Sequence, residues 1–326
     1  MPLRAALSAV LVDRLSGVAL SAAHARLRSS GCSCGEVGAA FLKRLGIGAE
    51  AKLARSLAGV CRDADASGLA NPYHSPSHSR EVAVDWFCLA LLQNALADRD
   101  PIRRRLSPEQ MVLGLCAAFG HDVGHDGCGN QGPDGCYRAF HLERIAACLV
   151  GRRLIEAGLA PAQAEIVRCA ILITDPRAGY AALEQALRGE PVGRDVCPEF
   201  GALETPAAQL TCAMLRDADL MPSAGMTPAD HDERTREMRS EQGRDQGSAT
   251  PAESDAFLSG LVGGRFLSPA GAAFQADLDR LLTANAARAP GAPGLASATP
   301  MEEPVEADVA RLIEELGLGS LIGAGA

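Results

Sequence analysis

Missing from this chain of 326 residues is any apolar run approaching the ~20 residues that a helix needs to cross a bilayer, so no membrane span is expected. Also missing is a block of arginines or lysines long enough to follow a phosphate backbone. With a formal net charge of −9 and a pI of about 5.3, the chain is not expected to bind nucleic acid. A small phosphate ester stays open as a partner, because a bound metal brings its own positive charge. Stretches that alternate apolar and polar residues are almost absent, which argues against a sheet. No internal repeat is found.

The 11 cysteines cannot all pair within one chain. Cys88, Cys116, Cys148, Cys169 and Cys212 lie in apolar helical contexts and read as small core residues of a reducing compartment, whereas Cys32 and Cys34 read as exposed free thiols. A cytoplasmic protein is the expectation. Residues 1–30 complicate it, since Arg4, Arg14, Arg26 and Arg28 against a single Asp13 have the composition of an organelle transit peptide, and equally of an amphipathic surface helix.

What the sequence does contain is a repeated helix start. Ser75–Pro76, Ser107–Pro108, Thr205–Pro206, Thr227–Pro228, Thr250–Pro251 and Ser268–Pro269 each place a capping hydroxyl before a proline, whose missing N–H costs nothing at a first helical position. Together with apolar residues at helical spacing, they predict an all-α fold. Helices are expected over about 76–96, 108–119, 137–157, 164–174 and 206–220, with two short ones in 36–66. The helix over 137–157 is expected to turn Leu142, Ile145, Leu149 and Leu154 inward, and the charged run 228–246 to be a solvated surface. Residues 285–303 read as a flexible linker, followed by a short helix within 304–316.

Four of the seven histidines fall in two H-x-x-x-H pairs, His74 with His78 and His121 with His125, and Asp122 stands beside His121. Imidazole nitrogen suits zinc and carboxylate oxygen suits magnesium or manganese, so a site with both suits two different ions. An aspartate ending a later apolar helix, Asp219 or Asp217, completes a candidate ligand set.

In order, Asn71–Pro72–Tyr73–His74 with His78, then His121–Asp122–Val123–Gly124–His125 with Gly127 and Asn130, then Ile173–Thr174–Asp175, then Ala218–Asp219–Leu220, then Glu241–Gln242–Gly243–Arg244–Asp245, resemble the catalytic domain of the 3′,5′-cyclic-nucleotide phosphodiesterases. These are a branch of the HD-domain metal-dependent phosphohydrolases. The resemblance covers about residues 36–285 and implies one compact multi-helix bundle there, flanked by an N-terminal extension, 1–35, and by a linker with a short C-terminal helix, 286–326. It implies His78, His121, Asp122 and Asp219 as ligands of a tighter metal, zinc in the family, with Asp122 bridging to a second ion, magnesium or manganese. It further implies His125, Thr174 and Glu143 around the second ion's waters, and His74 as the general acid. Asp217, two positions before Asp219, then reads as a neighbour or a surface charge.

The implied reaction is hydrolysis of cyclic AMP or cyclic GMP to the 5′-monophosphate, with Phe257, Ser254 and Asn130 toward the substrate. Ser254 stands where the family has a base-binding glutamine, and Ile145–Ala146 where it has a histidine pair. A serine cannot make the two hydrogen bonds of an amide, so base selectivity is left open. Two other readings stay open beside this one: a related phosphohydrolase acting on another phosphate ester, and a non-catalytic descendant that binds metal or nucleotide.

Overall fold

Hydroxyl caps divide the chain into helices much as their spacing suggests. The Ser107 hydroxyl accepts from the backbone N–H of Gln110, whose side chain returns to the Ser107 N–H, so two donors at the helix start are satisfied reciprocally. Thr205, Thr227 and Thr250 accept in the same way from Ala208, Asp230 and Glu253. Ser75 takes the cap position without making the side-chain bond.

The computed structural model describes residues 6–132, 134–193, 197–244, 250–288 and 305–322, and among them the regular structure is helical apart from one isolated antiparallel bridge, Gln131 to Tyr137. In order, the helices are α1 (Ala9–Val12), α2 (Gly17–Ser30), α3 (Cys34–Arg44), α4 (Lys52–Ala66), α5 (Pro76–Arg99), α6 (Pro108–Gly120), α7 (His141–Glu156), α8 (Pro161–Ile173) and α9 (Ala178–Leu187). Then follow α10 (Pro206–Ala224), α11 (Pro228–Glu241), α12 (Pro251–Asp255), α13 (Gln275–Ala287), α14 (Glu306–Leu316) and α15 (Gly319–Ile322). A π-helical turn, Ala256–Leu261, continues α12, and 3-10 turns cover Pro198–Glu204 and Gly271–Phe274. No helix among the described residues is long and apolar enough to cross a membrane.

Helices α5 and α6 form the centre, and α10 packs across both. The Trp86 indole donates to the carbonyl of Met111 at 3.1 Å and lies so close over Gly114 that a Cβ there would collide with it. Phe87 stacks on Phe41 of α3, with ring centroids 4.3 Å apart. Burying each such side chain contributes about 1.5–3 kcal/mol, and the resulting rigid centre carries two of the helices that reach the functional site.

An outer layer comes from the two ends of the chain. His24 of α2 reaches the buried Asp85 of α5 at 2.8 Å, and Arg28 reaches the buried Glu81 at 2.6 Å. The far side of α2 is covered by α14, tied by Arg14 to Asp308 at 3.0 Å, by Arg26 to Glu306, and by Ser8 to Glu315. The linker expected over 285–303 lies outside the described residues from position 289 on.

Several expectations are corrected. Cys32 and Cys34, just before α3 and at its first position, are buried, while Cys148 is exposed. Helix α7 starts at His141 and buries Leu142 and Leu154 as expected, but between them Ala146 and Val150 face the core, which leaves Leu149 partly buried and Ile145 38% exposed. Ala146, Ala147 and Gly151 are all buried, Gly151 directly against Arg168 of α8, and apolar size is therefore a poor guide to this helix's inner face. The charged helix α11 is not wholly solvated, since His231 and Arg234 are buried.

Candidate metal centre

The start of α5, the end of α6 and the C-terminal half of α10 meet at one point. Helix α5 presents His78 at its third position. Helix α6 stops at Gly120, where a Cβ would strike Val150, and the chain turns through His121 and Asp122 until Gly124, at φ +87°, closes the turn. Helix α10 brings Asp219.

The His78 Nε2 atom lies 3.3 Å from Asp219 Oδ1 and 3.6 Å from Asp122 Oδ2; the His121 Nε2 atom lies 3.1 Å from Asp122 Oδ2 and 3.5 Å from Asp219 Oδ1. Two imidazoles and two carboxylates thus face each other across a small gap. His121 donates its Nδ1–H to the carbonyl of Ala118 at 2.8 Å, which leaves the Nε2 lone pair for the gap. Buried and without a hydrogen-bond partner are His121 Nε2, Asp122 Oδ2 and His78 Nδ1. Orphaned buried polar atoms cost about 1–3 kcal/mol each. The donor set, two imidazole nitrogens and two carboxylate oxygens within reach of one centre, fits a divalent cation, and His78, His121 and Asp122 alone satisfy the spacing for one.

The electrostatics of the site call for positive charge. Burial by itself would raise the Asp219 pKa, but His121 and His78 outweigh it and hold the group at about 2. Asp122 is likewise held well below the carboxylate range against its burial, by His121 and His74. His121, whose burial would lower its pKa, is instead pushed well above the imidazole range by Asp122 and Asp219. A proton on His121 thus takes the place that a cation would fill, and a cation must displace it.

Beside this group stands a second one. Glu241, the last residue of α11, accepts from the N–H of Tyr73 at 3.0 Å, from the N–H of His74 at 2.9 Å and from His74 Nδ1. The His74 ring stacks on His125, centroids 3.7 Å apart and planes 19° from parallel. Helix α6 does not continue to His125; the turn after it delivers that ring to His74, and its Nδ1 accepts from the Gly127 N–H at 3.0 Å. Although His74, His125 and Glu241 are close enough for a metal, stacked rings aim their lone pairs in parallel, and the engaged nitrogens leave no convergent pair. Burial lowers the His74 pKa, yet Asp122 and Glu241 outweigh it and the group is raised overall. His125 is lowered to about 4, by burial first and then by the charge of His74. Of the two stacked rings, His74 is therefore the one favoured to carry the positive charge.

A third cluster flanks the turn. The Asn130 amide donates to both oxygens of Glu143, at 2.9 and 2.8 Å, and to Asp175 at 3.2 Å, while its oxygen accepts from the Leu142 N–H at 2.9 Å. Asp175 also accepts from the Tyr137 hydroxyl and from the backbone of Phe140, Arg177 and Ala178. Asn130 thus ties the loop before α7 together. Burial, reinforced by Asp175 and Asp122, raises Glu143 to about 7 despite the Asn130 bonds. The Thr174 hydroxyl is turned back on the carbonyl of Ile171 at 2.7 Å.

Of the residues expected toward a substrate, Phe257 is half-buried in the π-helical turn, and Ser254 is buried with its hydroxyl 2.8 Å from His231 Nε2. Asp217 is no surface charge; it is fully buried beside Arg216, at 3.0 Å. Glu241 was given no role by sequence reasoning, although a signal exists, since a carboxylate on the last turn of a helix opposes the helix dipole and needs another reason to be there.

No family profile matches this chain, and no curated protein does. Two solved structures are similar to it in outline. One is the phosphodiesterase domain of the RhoPDE fusion protein from the choanoflagellate Salpingoeca rosetta, at 14% identity and a TM-score of 0.46, covering 93% of this chain and 90% of that one. The other is the phosphodiesterase domain of Salpingoeca rosetta rhodopsin phosphodiesterase, at 14% identity and a TM-score of 0.42, covering 86% of this chain and 82% of that one.

Proposed function

We propose that this protein is a metal-dependent phosphodiesterase that hydrolyses 3′,5′-cyclic nucleotides, cyclic AMP or cyclic GMP, to 5′-monophosphates. The observation that carries the reading is the convergence of His78, His121, Asp122 and Asp219 with buried ligand atoms left unpartnered. In this reading His78, His121, Asp122 and Asp219 would hold zinc, and Asp122, His125, Thr174 and Glu143 would serve a second ion, magnesium or manganese. Divalent ions held there supply the charge that neutralises an anionic ester and the acidity that turns water into a nucleophile.

The chain's own residues do the rest. His74 stands beside the ligand set with its Nδ1 held by Glu241, which fixes the ring and favours its charged form. The opposite nitrogen, Nε2, then carries the proton that the departing 3′ oxygen needs. Neutral His125 lies flat against the His74 ring and shields one of its faces from water. Phe257 offers an aromatic face to a base. Because the Ser254 hydroxyl is bonded to His231, a base gains no amide contact there, and this favours as second reading a phosphohydrolase that selects weakly among bases or takes another phosphate ester.

The test uses purified protein stripped by chelator and reloaded with zinc and manganese. The expected outcome is turnover of cyclic AMP or cyclic GMP to the 5′-monophosphate only after reloading. Turnover of bis(p-nitrophenyl) phosphate without any cyclic nucleotide would establish the second reading instead. Metal uptake with no turnover of either would leave a non-catalytic binding protein and overturn the proposal.

A further inference from the structure

Three and two residues before Asp219, helix α10 carries a buried ion pair that the proposed chemistry does not use. Arg216 and Asp217 are 1% and 0% exposed. The Arg216 guanidinium donates to Asp217 at 3.0 Å, to the carbonyl of Val262 at 2.6 Å and to the carbonyl of Arg265 at 2.6 Å, and it lies over the Tyr180 ring at 4.8 Å. The Asp217 carboxylate accepts from the N–H of Leu267 at 2.9 Å and from that of Ser268 at 2.7 Å. Both ends of the turn 262–268 are therefore held by one side-chain pair, with carbonyls on the cation and N–H groups on the anion. On the far side Gly271 comes so close to the Asp217 carboxylate that a Cβ there would collide with it.

The turn that is clamped follows directly on the π-helical turn Ala256–Leu261, which carries Phe257. An α-helix rises 1.5 Å and rotates about 100° per residue, so Asp217 and Asp219 sit about 3 Å apart along the axis on opposite faces of α10. One face of α10 points to the metal centre, and the other holds the segment that presents the aromatic ring.

We propose that Arg216 and Asp217 are positioning residues for substrate: they fix the Phe257 turn at a set distance from the metal centre, and so set affinity for a ligand with a base while leaving the metal-binding residues untouched. This inference rests on the phosphodiesterase reading above. A buried charge pair suits the task because its hydrogen bonds are directional, whereas apolar packing of the turn would let it slide.

Two variants test it. Asp217→Asn keeps the size and loses the charge; Gly271→Ala pushes the turn away from the loop side with both charges intact, and decides the matter should Asp217→Asn not fold. KM and kcat are measured for cyclic AMP and for bis(p-nitrophenyl) phosphate, which has no purine, together with bound metal. The expected result is a KM for cyclic AMP raised about tenfold or more, the scale of a lost base–aromatic stack, with kcat/KM on the generic ester and metal content within about twofold of wild type. A general loosening of the fold would lower both substrates together, and that outcome, or loss of metal, overturns the positioning role alone. A wild-type protein that cleaves the generic ester and no cyclic nucleotide overturns the cyclic-nucleotide reading, and the positioning role with it.

Discussion

Replacing Glu241 by glutamine isolates the proton donor from the metal centre. In the native site Glu241 Oε2 accepts from two backbone N–H groups and Oε1 accepts from His74 Nδ1. A glutamine oxygen can keep the two backbone bonds, and its amide nitrogen then faces His74 Nδ1, where a donor now meets a donor. Imidazolium becomes unfavourable, and the neutral ring must turn its Nδ1 lone pair toward the amide. Cations held by Asp122 and Asp219 would offset the pull of those carboxylates on His74, and Glu241 would then be the main group holding the proton. A hydrogen bond to a charged group contributes about 1.5–3 kcal/mol, which corresponds to a kcat for cyclic AMP lower by roughly 10- to 150-fold. The sign of the pH effect follows. The Glu241 acceptor raises the His74 pKa and so keeps the acid protonated to higher pH than the ring would be without it; the fall of turnover with rising pH should therefore begin lower in Glu241→Gln. Bis(p-nitrophenyl) phosphate supplies the control, since p-nitrophenolate departs without a proton and its cleavage should be nearly unchanged. Equal losses on both substrates, or loss of bound metal, would refute the assignment of His74 and Glu241 as an acid and its holder.

The remaining expectations concern the scaffold. His24→Ala leaves Asp85 buried without its partner and should cost about 3–5 kcal/mol in urea unfolding, which would show that α2 is part of the folded body. Gly114→Ala drives a methyl into the Trp86 indole and should cost about 1–3 kcal/mol, readable as a lower urea midpoint with an unchanged slope. Burial lowers the His231 pKa below 6.5, so the stability tied to its neutral form is present above that value and is lost as pH falls through the lower folded one; His231→Gln should flatten that part of the stability profile.

The helix starts are legible in the sequence because capping is local: a hydroxyl three residues from an N–H acts before any tertiary contact exists. Spacing and residue type single out the histidine pairs and Asp122 as a candidate cluster, whereas Asp219 is separated from Asp217 only by the family resemblance, since two aspartates two positions apart look alike at a helix end. Faces are less so. In α7 the inner line runs through alanines and glycine, which apolar size does not single out, and Cys148 and Ile145 are misread together because they lie off that line. His125 depends on where α6 stops and on the left-handed turn at Gly124 that follows, which the spacing of the histidines does not reveal.

Long-range charge pairing hid the rest. Residues 1–30 show an excess of arginine that composition alone assigns to a transit peptide or a surface helix, while Glu81 and Asp85 stand as two buried carboxylates inside the central helix α5. Each fact is ambiguous by itself. Taken together they constrain each other, because a buried carboxylate must find a cation or lose its charge, and Arg28 and His24 supply one on a matching helical spacing, four residues apart on α2 against four on α5. The same logic applies to Asp217, whose partner is its own neighbour in sequence, and to Arg234, which faces Glu237 at 2.6 Å and Glu81 at 3.8 Å. Periodicity examines one helix at a time and sees such residues as errors in a pattern; matching the errors of one helix with those of another is what places α2 on α5 and the turn 262–268 on α10.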